Sequence, residues 1–369
     1  MKIDAVELIR VDMPLVTPFR TSFGTQANRD ILLVRVIGPD SEGWGECVAG
    51  NEPAYSSEYV DGAHDVIRRF FLPHLLNEEA IEAETVVPAL ARFKGHLMAK
   101  ASLEMAVLDA ELSARGESLA GHLGSVAESV PCGVSVGITA DIDQLLRLVA
   151  GYLDDGYVRV KLKIEPGWDV EPVRAVRQSF GEKLLLQVDA NTAYRLSDAR
   201  HLAKLDDFNL LLIEQPLPED DLLGHAALAR QTRTPICLDE SITSSRVAAD
   251  AITLGACSIV NIKAGRVGGY LEARRVHDVC VAHGVPVWCG GMLETGLGRA
   301  ANLALAALPG FTLPGDVSAS ERYWKQDLTV PFVLENGRIR VPAGPGLGVR
   351  PDPGVLAAVT RSKESVGRP

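Results

Sequence analysis

The sequence contains no run of about 18 uninterrupted apolar residues, the length a helix needs to cross a bilayer, so no transmembrane segment is expected. Its start, MKIDAVELIR, lacks the apolar stretch of a secretory signal. The six cysteines (47, 132, 237, 257, 280 and 289) include no CxxC pair. Several sit inside apolar runs and read as reduced core thiols, which argues against a disulfide framework and for a reducing cytoplasm. Positive charge is not in excess either. Against 37 Lys and Arg stand 48 Asp and Glu, a net charge of −11, which speaks against nucleic acid or an anionic membrane as partner.

What is present is ordinary for a globular enzyme: 47% hydrophobic and 23% charged residues. A chain of 369 residues exceeds what one core usually supports, so two domains are expected. Residues 1–125 read as α+β. KIDAVELIRV, DILLVRVIG and GWGECVAG are strand patterns in succession, which predicts an antiparallel sheet, and three helical patterns follow. MPLVTPFRTSFGTQ, between the first two strands, reads as a long loop. Residues 17–26 and 49–57 are longer than a connection requires and are candidate lids, although a plain surface loop explains them equally well.

From about residue 126 to 324 the pattern alternates. Short apolar runs (VPCGVSVGI, VRVKLKI, LLLQVDAN, LLLIEQP, PICLDES, IVNIKAG, PVWCGGM and FTLPGD) are separated by amphipathic helical segments. Eight parallel strands with crossover helices make one closed α/β barrel. The C-terminal segment 325–369 carries a hairpin-like ENGR turn and is expected to return to the N-terminal domain.

Lys163, Asp189, Glu214, Asp239 and Lys263 follow one another at steps of 26, 25, 25 and 24 residues, each near the end of one of these runs. The C-terminal ends of barrel strands are where catalytic groups collect. One acidic strand end alone is best read as a helix N-cap. Three on successive strands repel one another unless a cation neutralises them. No histidine stands at a strand end, and an all-oxygen donor set suits Mg²⁺ or Mn²⁺ rather than zinc. Strands two and six of eight are opposed, which sets Lys163 and Lys263 on opposite sides of the mouth. With the metal holding a carboxylate, two such bases could take a proton from one face of a carbon and return it to the other. The simpler alternative is that both lysines only pair with the acids.

These residues, with VDAN at 188–191, IEQPL, CLDES, NIKAGRVGG and WCGGMLETGLGR, resemble the muconate-lactonising subgroup of the enolase superfamily. Within it they are most similar to the N-acylamino acid racemase / o-succinylbenzoate synthase family, whose mobile lid MPLVTPFRTSFGT resembles. The resemblance implies a modified (β/α)7β TIM-like barrel with an α+β capping domain built from both termini. It implies Lys163 and Lys263 as acid/base pair, and Asp189, Glu214 and Asp239 as ligands of Mg²⁺, with Mn²⁺ or another divalent ion as substitute. Lys161, Asn191, Ser135 and Gly291 fall at substrate contacts, and Glu240, Asn261 and Arg266 lie around them. A small-molecule carboxylate substrate and a homo-oligomer, an octamer in the family, are further implications. So is racemisation of N-succinylated amino acids, with o-succinylbenzoate synthesis as a second or principal activity. Dipeptide epimerisation and muconate cycloisomerisation are the rivals. Relatives of the former tend to carry a DxD motif on the last strand, where this chain has only Asp316.

Other features remain open. AGRVGGY and GGMLETGLGR precede helices and could bind an anion, although close helix packing is the stronger reading. Arg266 reads either as a solvated loop charge or as a cation that depresses the pKa of Lys263. Phe19, Arg20, Tyr55, Met292 and Tyr323 lie on the predicted lid or rim. The four apolar ones are candidates for an acyl pocket or for ordinary core.

Overall fold

The structure is a computed structural model and describes residues 1–368. Three strands open the chain: β1 (Ala5–Thr21), β2 (Gly24–Ile37) and β3 (Glu42–Cys47). After the helices of the cap come β4 (Ser129–Pro131), β5 (Gly133–Val136), β6 (Arg159–Lys163), β7 (Leu185–Asp189), β8 (Ile213–Glu214), β9 (Ile236–Leu238), β10 (Ile259–Ile262) and β11 (Val287–Cys289). β12 (Arg338–Arg340) and β13 (Thr360–Gly367) lie near the end.

The first sheet is antiparallel in the order β13-β1-β2-β3. The helix Leu97–Arg115 lies on it. A Cβ on Gly43 would sit 2.0 Å from the Ala106 carbonyl oxygen, and one on Gly45 1.9 Å from that of Ser102, so both positions must be glycine for the helix to approach. The stretch 13–26, expected as a loop, is instead the far end of the β1–β2 hairpin. Phe19 pairs with Gln26 and Arg20 with Thr25, beyond a register shift after Pro14. β13 pairs with β1 only as far as Val11. Past that point β1 is an edge, where Pro14 and Pro18 cost no ladder hydrogen bond on the free side.

The second sheet is parallel, in the order β11-β10-β9-β8-β7-β6-β5, and curls into a barrel. FTLPGD, expected as an eighth strand, forms no regular strand. It closes the ring through two isolated parallel bridges, Val287 with Phe311 and Cys132 with Gly315. Pro314 interrupts any continuous ladder there. The ENGR turn forms a Glu335–Arg338 bridge, but its strand β12 pairs with β4, not with the cap. The segment reaches the cap through β13 instead, which pairs with β1 and which the sequence analysis did not single out as a strand.

Two cap carboxylates seat the barrel helices. Glu46 on β3 accepts from the backbone N–H of Thr295 and of Gly298, both at 3.0 Å, at the start of the helix Gly296–Ala306. Glu104 accepts from Tyr270 N–H at 2.7 Å and Leu271 N–H at 2.9 Å, at the start of the helix Tyr270–Ala282. Both glycine-rich helix entrances are therefore filled by the protein's own carboxylates, and the anion-binding alternative falls. Burial pushes the Glu46 carboxyl up to about 7 and that of Glu104 up to about 8.

Candidate active site

β7, β8 and β9 are neighbours, so Asp189, Glu214 and Asp239 leave the sheet from three adjacent strands. Lys163 is paired in register with Asp189, and Asp189 with Glu214. All three carboxylates are buried. Lys161 is two residues from Lys163 and therefore on the same face of β6. Its Nζ lies 3.3 Å from Asp189 Oδ2, 2.9 Å from Glu214 Oε2 and 2.6 Å from Asp316 Oδ2. Lys163 Nζ donates to Asp189 Oδ2 and Asn191 Oδ1, both at 2.6 Å. Lys263 Nζ is 2.8 Å from Asp239 Oδ2, and the Arg266 guanidinium pairs with Asp239 Oδ1. Each carboxylate thus has a buried cation against it, without which its burial would be prohibitive.

The acids tune one another. Burial pushes Asp189 up, but Lys163 and Lys161 outweigh it and hold its carboxyl well below the usual range. Glu214 moves the other way, raised by burial and by Asp189 beside it. Burial also pushes Glu240 up, to about 7, with Asp189 adding to it. Burial works against charge on Lys263, yet Tyr55, Glu240 and Glu214 more than offset it, so its ammonium is held above the ordinary lysine value. Burial also corrects one reading of Arg266, which is no solvated charge. It is buried, donates to the carbonyl oxygens of Ile242 and Asn261 at 2.8 Å each, and spends its charge on Asp239.

Above the carboxylates lies a cavity of about 340 Å³. Lys161, Lys163, Asn191 and Lys263 line its floor, Ser135, Gly291, Met292, Tyr323 and Asp316 its barrel side, and Phe19, Phe23 and Tyr55 its cap side. Arg20 is not among the lining residues. It turns outward to pair with Glu165 at 2.9 Å and is about half exposed. Glu240 and Asn261 lie behind the floor: Asn191 donates to Glu240 Oε1 at 2.8 Å, and Asn261 to Glu214 Oε1 at 2.7 Å. Tyr55 does more than wall the cavity. Its hydroxyl donates to Asp239 Oδ1 at 3.2 Å and accepts from Lys263 Nζ at 3.1 Å.

The sequence analysis missed the part played by Asp316. Its Oδ1 accepts from Arg159 at 2.8 Å and its Oδ2 from Ser135 Oγ at 3.1 Å, besides the contact with Lys161. Burial pushes Asp316 up, and Lys161 and Arg159 outweigh it and hold the carboxyl far below the usual range. Its place on the last barrel segment was the one available signal.

Among the described residues, no three His, Cys, Asp or Glu converge as tightly as a bound metal requires. The carboxylates point instead at the neighbouring cations. The donor chemistry nonetheless fits a hard divalent ion. Asp189, Glu214 and Asp239 offer only oxygen, and two buried acceptor oxygens beside them, Glu240 Oε2 and Asn261 Oδ1, have no partner.

A curled parallel sheet carrying acids and lysines at its strand ends, roofed by an antiparallel cap, defines the class: a barrel enzyme with its site at the strand ends, beneath the cap. The comparisons carry this further. Residues 4–124 match the mandelate racemase / muconate lactonizing enzyme N-terminal domain, and residues 144–355 the enolase C-terminal domain-like family. The chain is 68% identical over 367 residues to an N-succinylamino acid racemase from an Amycolatopsis species, covering 100% of both chains. It is 46% identical to the o-succinylbenzoate synthase of Geobacillus kaustophilus, over 94% of this chain and 93% of that one. A crystal structure of an enolase superfamily member from Listeria innocua superposes with a TM-score of 0.95 at 40% identity, each chain covered in full. The chain therefore belongs to the mandelate racemase / muconate lactonizing enzyme family of the enolase superfamily. Enzymes of this superfamily act by abstracting an α-proton, depend on a divalent metal and take small carboxylates as substrates. No helix among the described residues is long and apolar enough to cross a membrane.

Proposed function

We propose that the chain racemises N-succinylated amino acids and, from the same site, dehydrates the cyclohexadiene precursor of o-succinylbenzoate. The observation that carries this is the placement of Lys163 and Lys263. Both line one cavity, from β6 and from just past β10, with the three carboxylate strands between them. A substrate carbon bound between them would have an amine on either side.

Asp189, Glu214 and Asp239 would hold the divalent ion, which we take to be Mg²⁺, with Mn²⁺ able to substitute. When bound, it would neutralise the acids now paired with the lysines and offset the negative charge that develops on the substrate carboxylate. Lys161 and Asn191 reach the floor from beside the acids and orient that carboxylate. For racemisation, one lysine as free amine takes the α-proton and the other, as ammonium, protonates the opposite face. For dehydration, one lysine takes the α-proton while the β-hydroxyl leaves with its bonding electrons, and a proton from a lysine ammonium converts it to water. Phe19, Phe23, Met292 and Tyr323 supply apolar walls, and the Ser135 hydroxyl a polar contact.

The name of the 68%-identical relative supports racemisation as the first activity, and that of the synthases the second. Only a single Asp, Asp316, stands on the last segment, and it is taken up by Lys161, Arg159 and Ser135, which leaves none for a dipeptide amine. A homo-oligomer belongs to the same reading; the exposed Val330 and Val333 offer an apolar surface segment for it. The test is kcat/KM for N-succinylamino acids against that of the cyclohexadiene precursor. Turnover of neither, with unacylated or dipeptide substrates turned over instead, would refute the assignment.

A further inference from the structure

The two lysines of the site are not held alike. Lys163 is fixed from within the barrel, by Asp189 and Asn191 at 2.6 Å each, and the Phe19 ring of the cap lies 6.0 Å away. Lys263 has one barrel carboxylate, Asp239 at 2.8 Å, and a cap residue. The Tyr55 hydroxyl accepts from its Nζ at 3.1 Å, and the Tyr55 ring lies 4.6 Å from the same atom. A lysine ammonium on a flexible four-carbon stem needs such partners to hold one position. The Tyr55 hydroxyl is itself pinned. It donates to Asp239 and accepts from Arg266 Nη1 at 3.3 Å, so three barrel groups fix one cap oxygen. On its other side the Tyr55 ring packs 6.2 Å from that of Phe23, in the turn of the β1–β2 hairpin. Phe23, Tyr55 and Lys263 form one contiguous chain of contacts from the lid to the floor.

We infer that Tyr55 is a positioning residue for Lys263 alone, through which the cap sets one of the two acid/base groups and leaves the other to the barrel. This rests on the two-base reading above. Its consequence is asymmetric: loss of the hydroxyl weakens proton transfer on one face of the substrate carbon. A general fault in the cavity, in metal binding or in folding would weaken both faces together.

The experiment measures deuterium uptake at the α-carbon of each enantiomer of N-succinylphenylalanine in D₂O, with the Mg²⁺-loaded full chain. Lys163→Ala and Lys263→Ala first assign one enantiomer to each lysine. Tyr55→Phe, which keeps the ring and removes only the oxygen, is expected to slow exchange of the Lys263 enantiomer by about tenfold or more, because small misplacements of an acid/base group are costly. The Lys163 enantiomer should stay within about twofold of wild type on the same argument. Tyr55→Leu, which also removes the ring, should widen the gap. Equal losses for both enantiomers, or no loss for either, overturn the inference while the two-base reading stands. If the lysine variants themselves fail to divide the enantiomers, the two-base reading falls first and this inference with it.

Discussion

The Nζ of Lys161 lies 2.6 Å from Oδ2 of Asp316, a contact between the second barrel strand and the segment that closes the ring. It joins two tasks. The same carboxylate neutralises Arg159, which is fully buried with its guanidinium 5.4 Å from the Trp288 ring, and so ties the closing segment to β6. It also keeps an anion on Lys161 that is independent of Asp189 and Glu214, so the ammonium stays oriented at the cavity floor whatever those two acids bind.

Replacing Asp316 with Asn should therefore show in two measurements. Buried Arg159 loses its carboxylate partner and Lys161 one of three, and breaking a buried pair costs on the order of 3 kcal/mol. Denaturant unfolding should report a loss of that size, and KM for the carboxylate substrate should rise more than kcat falls. A variant with wild-type stability and KM would remove Asp316 from this account.

Chelation should abolish turnover reversibly, and Mg²⁺ or Mn²⁺ should restore it. A readout apart from turnover is available, because an ion that binds only the folded chain stabilises it by about 2.7 kcal/mol at a hundred times its Kd. Thermal unfolding of stripped protein should therefore shift upward with added Mg²⁺. Full activity in protein shown by elemental analysis to be metal-free would count against the three-carboxylate site.

The capping glutamates predict a pH dependence of stability. Glu104 and Glu46 have folded-state pKa values raised from 4.5 to about 8 and about 7 by burial. The native state then binds more protons than the unfolded state between 4.5 and these values, so stability falls as pH rises through that window. The contribution is fully present below pH 4.5 and lost above about 8, with a slope of at most about 1.4 kcal/mol per pH unit from each group. Urea unfolding of Glu104→Gln from pH 5 to 8 should show a shallower decline than wild type. Identical slopes would mean that Glu104 titrates normally.

The hairpin end should discriminate between neighbours. Phe19 lines the cavity and Arg20 does not. Phe19→Ala should alter the preference among acyl groups. Arg20→Ala removes only a half-exposed pair with Glu165, worth about 1 kcal/mol or less. Equal changes in acyl selectivity for both variants would require Arg20 to swing inward.

Much of this was legible in the sequence, and for a physical reason. A parallel barrel strand presents its last residues at the rim, so a βα repeat of constant length turns sequence spacing into a ring, and Lys163, Asp189, Glu214, Asp239 and Lys263 land together. Contacts without a local signature were not legible. Pro14 and Pro18 read as loop because nothing nearby reveals that β13 stops pairing at Val11 and leaves β1 an edge. Pro314 breaks the ladder of the closing segment, which joins the ring through bridges alone. Tyr55 reaches Lys263 across 208 residues, and Glu46 reaches Thr295 across 249; no periodicity encodes either.

The central claim is that Lys163 and Lys263 act on opposite faces of one carbon. It is tested most directly by α-proton exchange in D₂O for each enantiomer, with Lys163→Ala and Lys263→Ala. Loss of a positioned acid/base group typically costs about 10²–10⁴-fold, so racemisation should collapse in both variants. Each variant should still exchange one enantiomer, and the two should retain opposite ones. Exchange of both enantiomers at near wild-type rates in either single variant would contradict the account and require a base other than these two lysines.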